Sequence, residues 1–184
     1  MRLRGLAPLL LLAPGAAADA LPDKRESLPI EIFAVLDECA SSAAAMSTVR
    51  AWLEEGGDVD AREPAQGGTM LHWAAARDNL GLAKLVLEFG AAVNIKADKK
   101  PGSLGPTPLI LATGKGHIEL VKLLLAQGAD PDGTDDKGVS ALRYAEAEER
   151  RIRAQHKHAE HGEHVIARLL REAKQRLAAL KDEM

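Results

Sequence analysis

The chain has 184 residues, of which 46% are hydrophobic, 28% are charged and only 3% are aromatic. With so few aromatic residues the core must be built from Ala, Leu and Val, which favours close-packed helices over strands. The 24 basic and 27 acidic residues give a net charge of -3, which does not favour nucleic-acid binding. The one cysteine, Cys39, excludes an internal disulfide and a zinc site of the four-cysteine type.

The first twenty residues, 1–20, have the layout of a secretory signal peptide. Arg2 and Arg4 give a positive start, Leu6–Leu12 is a short apolar stretch, and Ala16–Ala18 supplies small residues suited to a cleavage site. This pattern predicts a secreted or periplasmic protein. The alternative is an Ala- and Pro-rich extension, since two prolines interrupt the apolar run. No segment approaches the roughly 20 apolar residues that span a bilayer, so we expect no stable membrane insertion.

From residue 29 onward the sequence repeats itself. Three segments share an apolar pattern and end in glycines 34 and then 38 residues apart: Thr48–Gly56, Leu82–Gly90 and Leu120–Gly128. A second set starts with Thr or Ser and is rich in small residues: Thr69–Ala75, Thr107–Thr113 and Ser140–Glu146. The hydroxyl residue can cap a short helix, and the glycine can end a second helix through a left-handed conformation. Each unit is therefore predicted to be a helix pair with a polar loop, which must stack on copies of itself.

These segments resemble the ankyrin repeat. The Thr-Pro-Leu-His-x-Ala signature of that family is nearly whole in Thr69–Ala74 and Thr107–Ala112, and Gly116–Asp130 is close to a family consensus. The resemblance implies an all-α solenoid of helix-turn-helix units joined by extended or hairpin loops, with a non-enzymatic protein-binding function. Another kind of helical solenoid is the alternative. In such a stack Leu124 and Leu125 are expected to be buried between the two best-matching repeats.

Measured against the ankyrin period, the chain divides into four units and a tail. The expected bounds are 29–61 for an N-terminal capping unit, 62–100 and 101–133 for two well-matched repeats, 134–175 for a divergent C-terminal unit, and 176–184 for a charged helical tail. In the fourth unit the second helix, Val165–Leu170, comes about a dozen residues late, after a charged insertion over residues 146–162. The signature histidine, which in ankyrin repeats bonds backbone groups between adjacent units, is His72. Ile110 and Arg143 replace it in the next two units.

The resemblance also implies a binding surface made of the loop tips and the exposed side of the first helices. One repeat position on those helices holds three candidate anchors, Trp73, Leu111 and Tyr144, and Trp and Tyr are favoured at interfaces. The alternative is that Trp73 and Leu111 are half-buried packing residues. The partner is expected to be another protein of unknown identity.

The loop tips are expected at residues 62–67, 96–105 and 134–137. The middle tip is enlarged and basic, and it supplies three further candidate binding residues: Lys96, Lys99 and Lys100. The third tip is acidic, with Asp135 and Asp136 expected to be exposed there. The alternative is that all these charges only solvate exposed turns.

A histidine-rich segment, His156–His164, offers a rival function as a metal-binding accessory protein. It holds four of the six histidines, and on a helix Glu160, His161 and His164 would share one face, as a Zn, Ni or Cu site requires. The alternative is a solvated linker, since Gly162 weakens a helix there. The sequence has no Gly-rich phosphate loop, no nucleophile in a recognisable setting and no His-Glu-x-x-His motif, so we expect neither catalysis nor a cofactor.

The last four residues, Lys181–Met184, resemble the Lys-Asp-Glu-Leu signal for retention in the endoplasmic reticulum, with Met in place of Leu. Retention would place the protein in the lumen of that compartment. The alternative is that these residues are only the charged end of a helix, which has the same composition. If the N-terminus is not a signal, the expected location is cytoplasmic.

Overall fold

The computed structural model describes residues 29, 32, 43–64, 67–98, 105–155 and 165–182. These residues form seven helices: Ala43–Glu54 (α1), Met70–Arg77 (α2), Leu80–Glu88 (α3), Pro108–Lys115 (α4), Ile118–Ala126 (α5), Ala141–Gln155 (α6) and Val165–Asp182 (α7). The described part of the chain has no strand, and its only ladder pairs are two isolated antiparallel bridges, Arg62 with Thr69 and Thr134 with Ser140. The predicted all-α fold with hairpin loops is confirmed.

The helices pack as two rows. The first helices of successive units, α2, α4 and α6, lie side by side in an inner row, and α1, α3, α5 and α7 form an outer row that packs against them. Small alanines, Ala74, Ala112 and Ala145, are at most 1% exposed and let the inner helices lie close together. The core between the rows is aliphatic; its largest fully buried side chains include Met70, Leu71, Leu82, Leu109, Leu120, Leu124, Ile166 and Leu170.

The helix ends follow from local sequence. The Thr107 hydroxyl oxygen accepts a hydrogen bond from the Ile110 amide at 3.3 Å, and Pro108 occupies the first turn of α4, where its missing amide proton costs nothing. The Asn79 side chain caps α3 in the same way, accepting from the Leu82 amide at 2.9 Å. After α5, Gly128 has φ +84°, the left-handed conformation predicted for the glycine that ends each second helix.

The expectation that both leucines of α5 are buried is only half right. Leu124 is fully buried, whereas Leu125 is half-buried at the edge of the core. A helix turns by about 100° per residue, so two successive side chains cannot both point at the centre of one interface.

The fourth unit differs from expectation in the length of its first helix. Helix α6 has 15 residues against eight in α2 and in α4, so the predicted insertion is helical as far as Gln155. No Gly or Pro interrupts this stretch, and Arg151 donates to Glu148 one turn earlier at 2.8 Å. Glu149 turns inward, is 8% exposed and lies 4.0 Å from the Arg171 guanidinium of α7.

Helix α7 runs unbroken through the expected boundary at residue 175, and the unit boundaries themselves stay a prediction. Its first half, which packs against α5 and α6, buries Ile166, Ala167 and Leu170, whereas Leu180 near its end is 59% exposed. None of the helices in the described ranges is both long enough and apolar enough to cross a bilayer.

Candidate protein-binding surface

The inner groove is the solvent-facing side of α2, α4 and α6, together with the hairpins that precede α4 and α6. The predicted anchors Trp73, Leu111 and Tyr144 occupy one equivalent position on these three adjacent helices, and all three are half-buried. The structure therefore brings the three anchors into one row, as the repeat period predicts. Whether they contact a partner stays a prediction.

Trp73 does not stand alone on α2. The Arg77 guanidinium carbon lies 3.9 Å from the centroid of the indole ring, one helical turn further on. Such a cation–π contact is worth about 0.5 to 1 kcal/mol at an exposed site, and it fixes the orientation of the ring. The pair offers an apolar ring edge next to a positive charge. The spacing of four residues was a signal for Arg77 that the sequence reasoning missed.

Tyr144 is tied to the hairpin before its own helix. Its hydroxyl donates to the Asp135 carboxylate (Oδ2) at 2.8 Å, while Oδ1 of the same carboxylate accepts from the Lys137 and Val139 amides at 2.9 and 2.8 Å. Burial on its own raises the pKa of Asp135, but these hydrogen bonds outweigh it and hold that pKa below its ordinary value. Burial and the neighbouring carboxylate raise the pKa of Tyr144.

The expectation that Asp135 is an exposed charge at the third loop tip is therefore wrong. Asp135 is 2% exposed and closes the turn of its hairpin, because its carboxylate satisfies two backbone amides that would otherwise lack partners. Of the two acidic residues at this tip, Asp136 is the exposed one.

The middle hairpin is held to the preceding one by Arg62. Its Nη1 donates to the Gly67 and Lys96 carbonyls at 3.0 and 2.9 Å, and it lies 2.9 Å from Oδ1 of Asp98. The Lys96 side chain is exposed beside this cluster, while Lys99 and Lys100 lie outside the described residues. Arg62 was missed from the sequence because two of its partners, Lys96 and Asp98, lie on the next hairpin, and Lys96 is 34 residues further along the chain.

His72 links the second and third units as the ankyrin resemblance implies. Its Nδ1 accepts from the Thr69 amide at 3.1 Å, so the proton is on Nε2, which donates to the Pro106 carbonyl at 3.1 Å. The side chain is buried, and desolvation lowers its pKa to about 4. The histidine is therefore a neutral structural link between the two units.

A second set of links runs along the outer edge of the stack. The Asp60 carboxylate accepts from the Ala92 amide at 3.0 Å, and one unit later the Asn94 side chain accepts from the Asp130 amide at 2.8 Å. At the equivalent position of the third unit, Asp132 instead meets the Lys174 ammonium of α7 at 2.7 Å. These links fix the spacing between units and thus the positions of the groove residues.

The segments behind the other predictions lie outside the described residues. They are the N-terminal stretch 1–20, the histidine segment His156–His164 and the final residues 183–184. Within the ranges that are described, no group of three or more His, Cys, Asp or Glu side chains is placed to hold a metal ion.

Several curated proteins are similar to this chain. Palmitoyltransferase Hip14 of Drosophila melanogaster is 39% identical over 103 residues, which are 56% of this chain and 15% of that protein. Palmitoyltransferase ZDHHC13 of Homo sapiens is 37% identical over 128 residues, 68% of this chain and 20% of that protein. The chain thus spans a fifth or less of the length of these relatives, and the activity in their names is said of them alone.

The family comparison agrees with the repeat geometry. A family model described as "Ankyrin repeats (3 copies)" matches residues 36–135 and 95–153, which include the six helices α1 to α6 apart from the last two residues of α6. The paired helices, the hairpins and the histidine link all lie within or next to that match. The chain belongs to the ankyrin-repeat family.

Proposed function

We propose that this protein is a non-enzymatic module that holds another protein in its inner groove. The observation that carries the proposal is the row of Trp73, Leu111 and Tyr144, one residue from each of three stacked units. Ankyrin repeats are interaction modules, and a rigid stack can present such a row without having to order it on binding. The half-buried rings supply contact area at low entropic cost.

Photo-crosslinking in the native compartment tests the proposal. A p-benzoylphenylalanine in place of Leu111 would probe the groove, and the same group in place of Lys84, an exposed residue on α3 in the outer row, is the matched control. We expect a discrete adduct from the groove position that is lost when Trp73→Ala is added. Adducts from the outer position alone would overturn the proposal.

We also propose that the module acts in an exported compartment. The support is the sequence pattern of residues 1–20, with two arginines before a leucine-rich stretch and small residues after it. On this proposal the mature chain begins at Asp19 or Leu21, where the small-residue cluster ends. Intact-mass measurement of the protein from its natural source decides it, and recovery of the full chain from cytosol would contradict export.

A further inference from the structure

The charges around the inner groove are unevenly distributed. Arg77 and Lys115 lie at equivalent positions of α2 and α4, each one turn after an anchor residue, and Lys96 lies on the hairpin that leads into α4. All three are exposed, and Lys96 and Lys115 have no carboxylate partner among the residues that the structure describes.

Two acidic groups on the same face, Asp98 and Glu148, are each paired with an arginine. Asp98 lies 2.9 Å from the Arg62 guanidinium, and Glu148, which follows Tyr144 by one turn, accepts from Arg151 at 2.8 Å. Asp136 is exposed on the last described hairpin, and its carboxylate lies beside Gly105 of the preceding hairpin, where an added Cβ would come within 2.6 Å of Oδ2. On α2 and α4 themselves, the exposed charges that follow the anchor residues by one turn, Arg77 and Lys115, are therefore both positive.

The surface of the groove lacks a side chain at Gly114. This residue lies on α4 between Leu111 and Lys115, at the position held by Ala76 in α2 and Ala147 in α6. A Cβ atom built on Gly114 would have no heavy atom within 4 Å, so the position is open to solvent. A helix-interior glycine weakens a helix relative to alanine, and packing within the chain gives no reason for it here. Close approach of another molecule is such a reason.

These observations converge on one kind of partner. We infer that the groove takes an acidic segment of a partner protein, which lays an apolar side chain over Gly114 against Trp73 and Leu111 and directs its carboxylates to Arg77, Lys115 and Lys96. The inference rests on the proposed function and adds the chemistry of the ligand. The basic groups steer the encounter, because charges at a rim act mainly on the association rate, while the apolar contact sets residence time.

Selection from a displayed library of random peptides on the full chain tests the inference. We expect the enriched peptides to carry net negative charge and at least one large apolar residue. The double variant Lys96→Glu/Lys115→Glu should bind this pool about tenfold more weakly and with less salt dependence, since each reversed rim charge replaces an attraction with a repulsion. Lys84→Glu reverses one exposed lysine on the outer row and should leave binding unchanged.

Gly114→Leu tests whether the partner occupies the space above Gly114. The substitution should not harm the fold, because leucine is the better helix former and meets open space there. We expect at least a tenfold loss of peptide binding with an unchanged or higher midpoint of thermal unfolding. Gly81→Leu on α3 is the matched control, since its added Cβ also meets only an ordinary contact, at 3.5 Å from the Asn79 side chain. Its binding should equal that of the wild type.

The outcomes separate the two proposals. A neutral or basic pool whose binding still depends on Trp73 and Gly114 would overturn the acidic partner and leave the groove as the binding site. If no enriched peptide depends on either residue, the proposed function fails and the inference fails with it.

Discussion

Acidification should lower the free energy of unfolding of this protein because the imidazole of His72 is buried. His72 is neutral in the folded chain, with a pKa of about 4 against 6.5 for an unperturbed histidine. Between these two values the unfolded chain binds the proton and the folded chain does not, so the free energy of unfolding falls as the pH falls through this window. The contribution of neutral His72 to the free energy of unfolding is present above pH 6.5 and is lost as the pH falls toward 4.

The size of the effect follows from the two pKa values. Each unit of difference corresponds to about 1.4 kcal/mol, so His72 should remove about 1 kcal/mol between pH 7 and pH 5.5 and about 2.5 kcal/mol by pH 4.5. Carboxylates add to the loss only at lower pH, and Asp135 is among them because hydrogen bonds depress its pKa. Among the described groups whose pKa is shifted, His72 is the one that titrates in the upper part of the window.

Urea unfolding at these three pH values, followed by circular dichroism, measures the effect. His72→Ile is the control, because the next unit carries a buried isoleucine at the equivalent position, Ile110. The variant should be less stable at pH 7, since the Thr69 amide and the Pro106 carbonyl lose a partner, but its stability should change little down to pH 5.5. Equal pH slopes in the two proteins would refute the assignment of a buried neutral histidine.

Three further outcomes are expected from chemical or thermal denaturation. Leu124→Ala should cost about 2 to 5 kcal/mol and Leu125→Ala clearly less, because only Leu124 is fully buried; equal costs would mean that the stacking register is wrong. Asp78→Gly should raise stability by about 0.5 to 1 kcal/mol, since Asp78 has the left-handed φ of +56°. A loss instead would show that the contact of its carboxylate with His117 of the next unit, 3.8 Å away, outweighs the backbone strain. Tyr144→Phe should cost about 1 to 2 kcal/mol because Asp135 loses a hydrogen bond, and no change would mean that this bond is not formed in solution.

The features that could be predicted from the sequence are those that local chemistry decides. Thr107 and Pro108 mark the start of a helix, and Gly128 marks the end of one, through conformational preferences that need no knowledge of the neighbours. Repetition of these signals then fixed the fold class, because identical units must stack. The row of anchors followed for the same reason, since equivalent positions of stacked units share a face.

The features that were missed depend on contacts between units or on the closure of a turn. Asp135 is part of an acidic pair of residues, yet its hydrogen bonds bury it while Asp136 stays exposed, and a charge count cannot separate the two. Arg62 acquires its role only when the next hairpin brings Lys96 and Asp98 beside it. The extra length of α6 had no counterpart in the repeat period from which it could be inferred.

The partner of Asp132 differs in kind from the partners of the equivalent side chains in the earlier units. In the preceding units the equivalent side chains accept from backbone amides of the next hairpin, and such a hairpin supplies another acceptor for the unit after it. The Lys174 ammonium of α7 has hydrogen-bond donors but no acceptor. Among the described residues, the series of side-chain-to-amide links therefore ends at Asp132 with an ion pair. The described stack thus closes on an ion pair between exposed side chains, which salt screens more strongly than the earlier links to uncharged backbone amides. Fraying on raising the ionic strength should accordingly begin at α7, which hydrogen exchange can follow residue by residue.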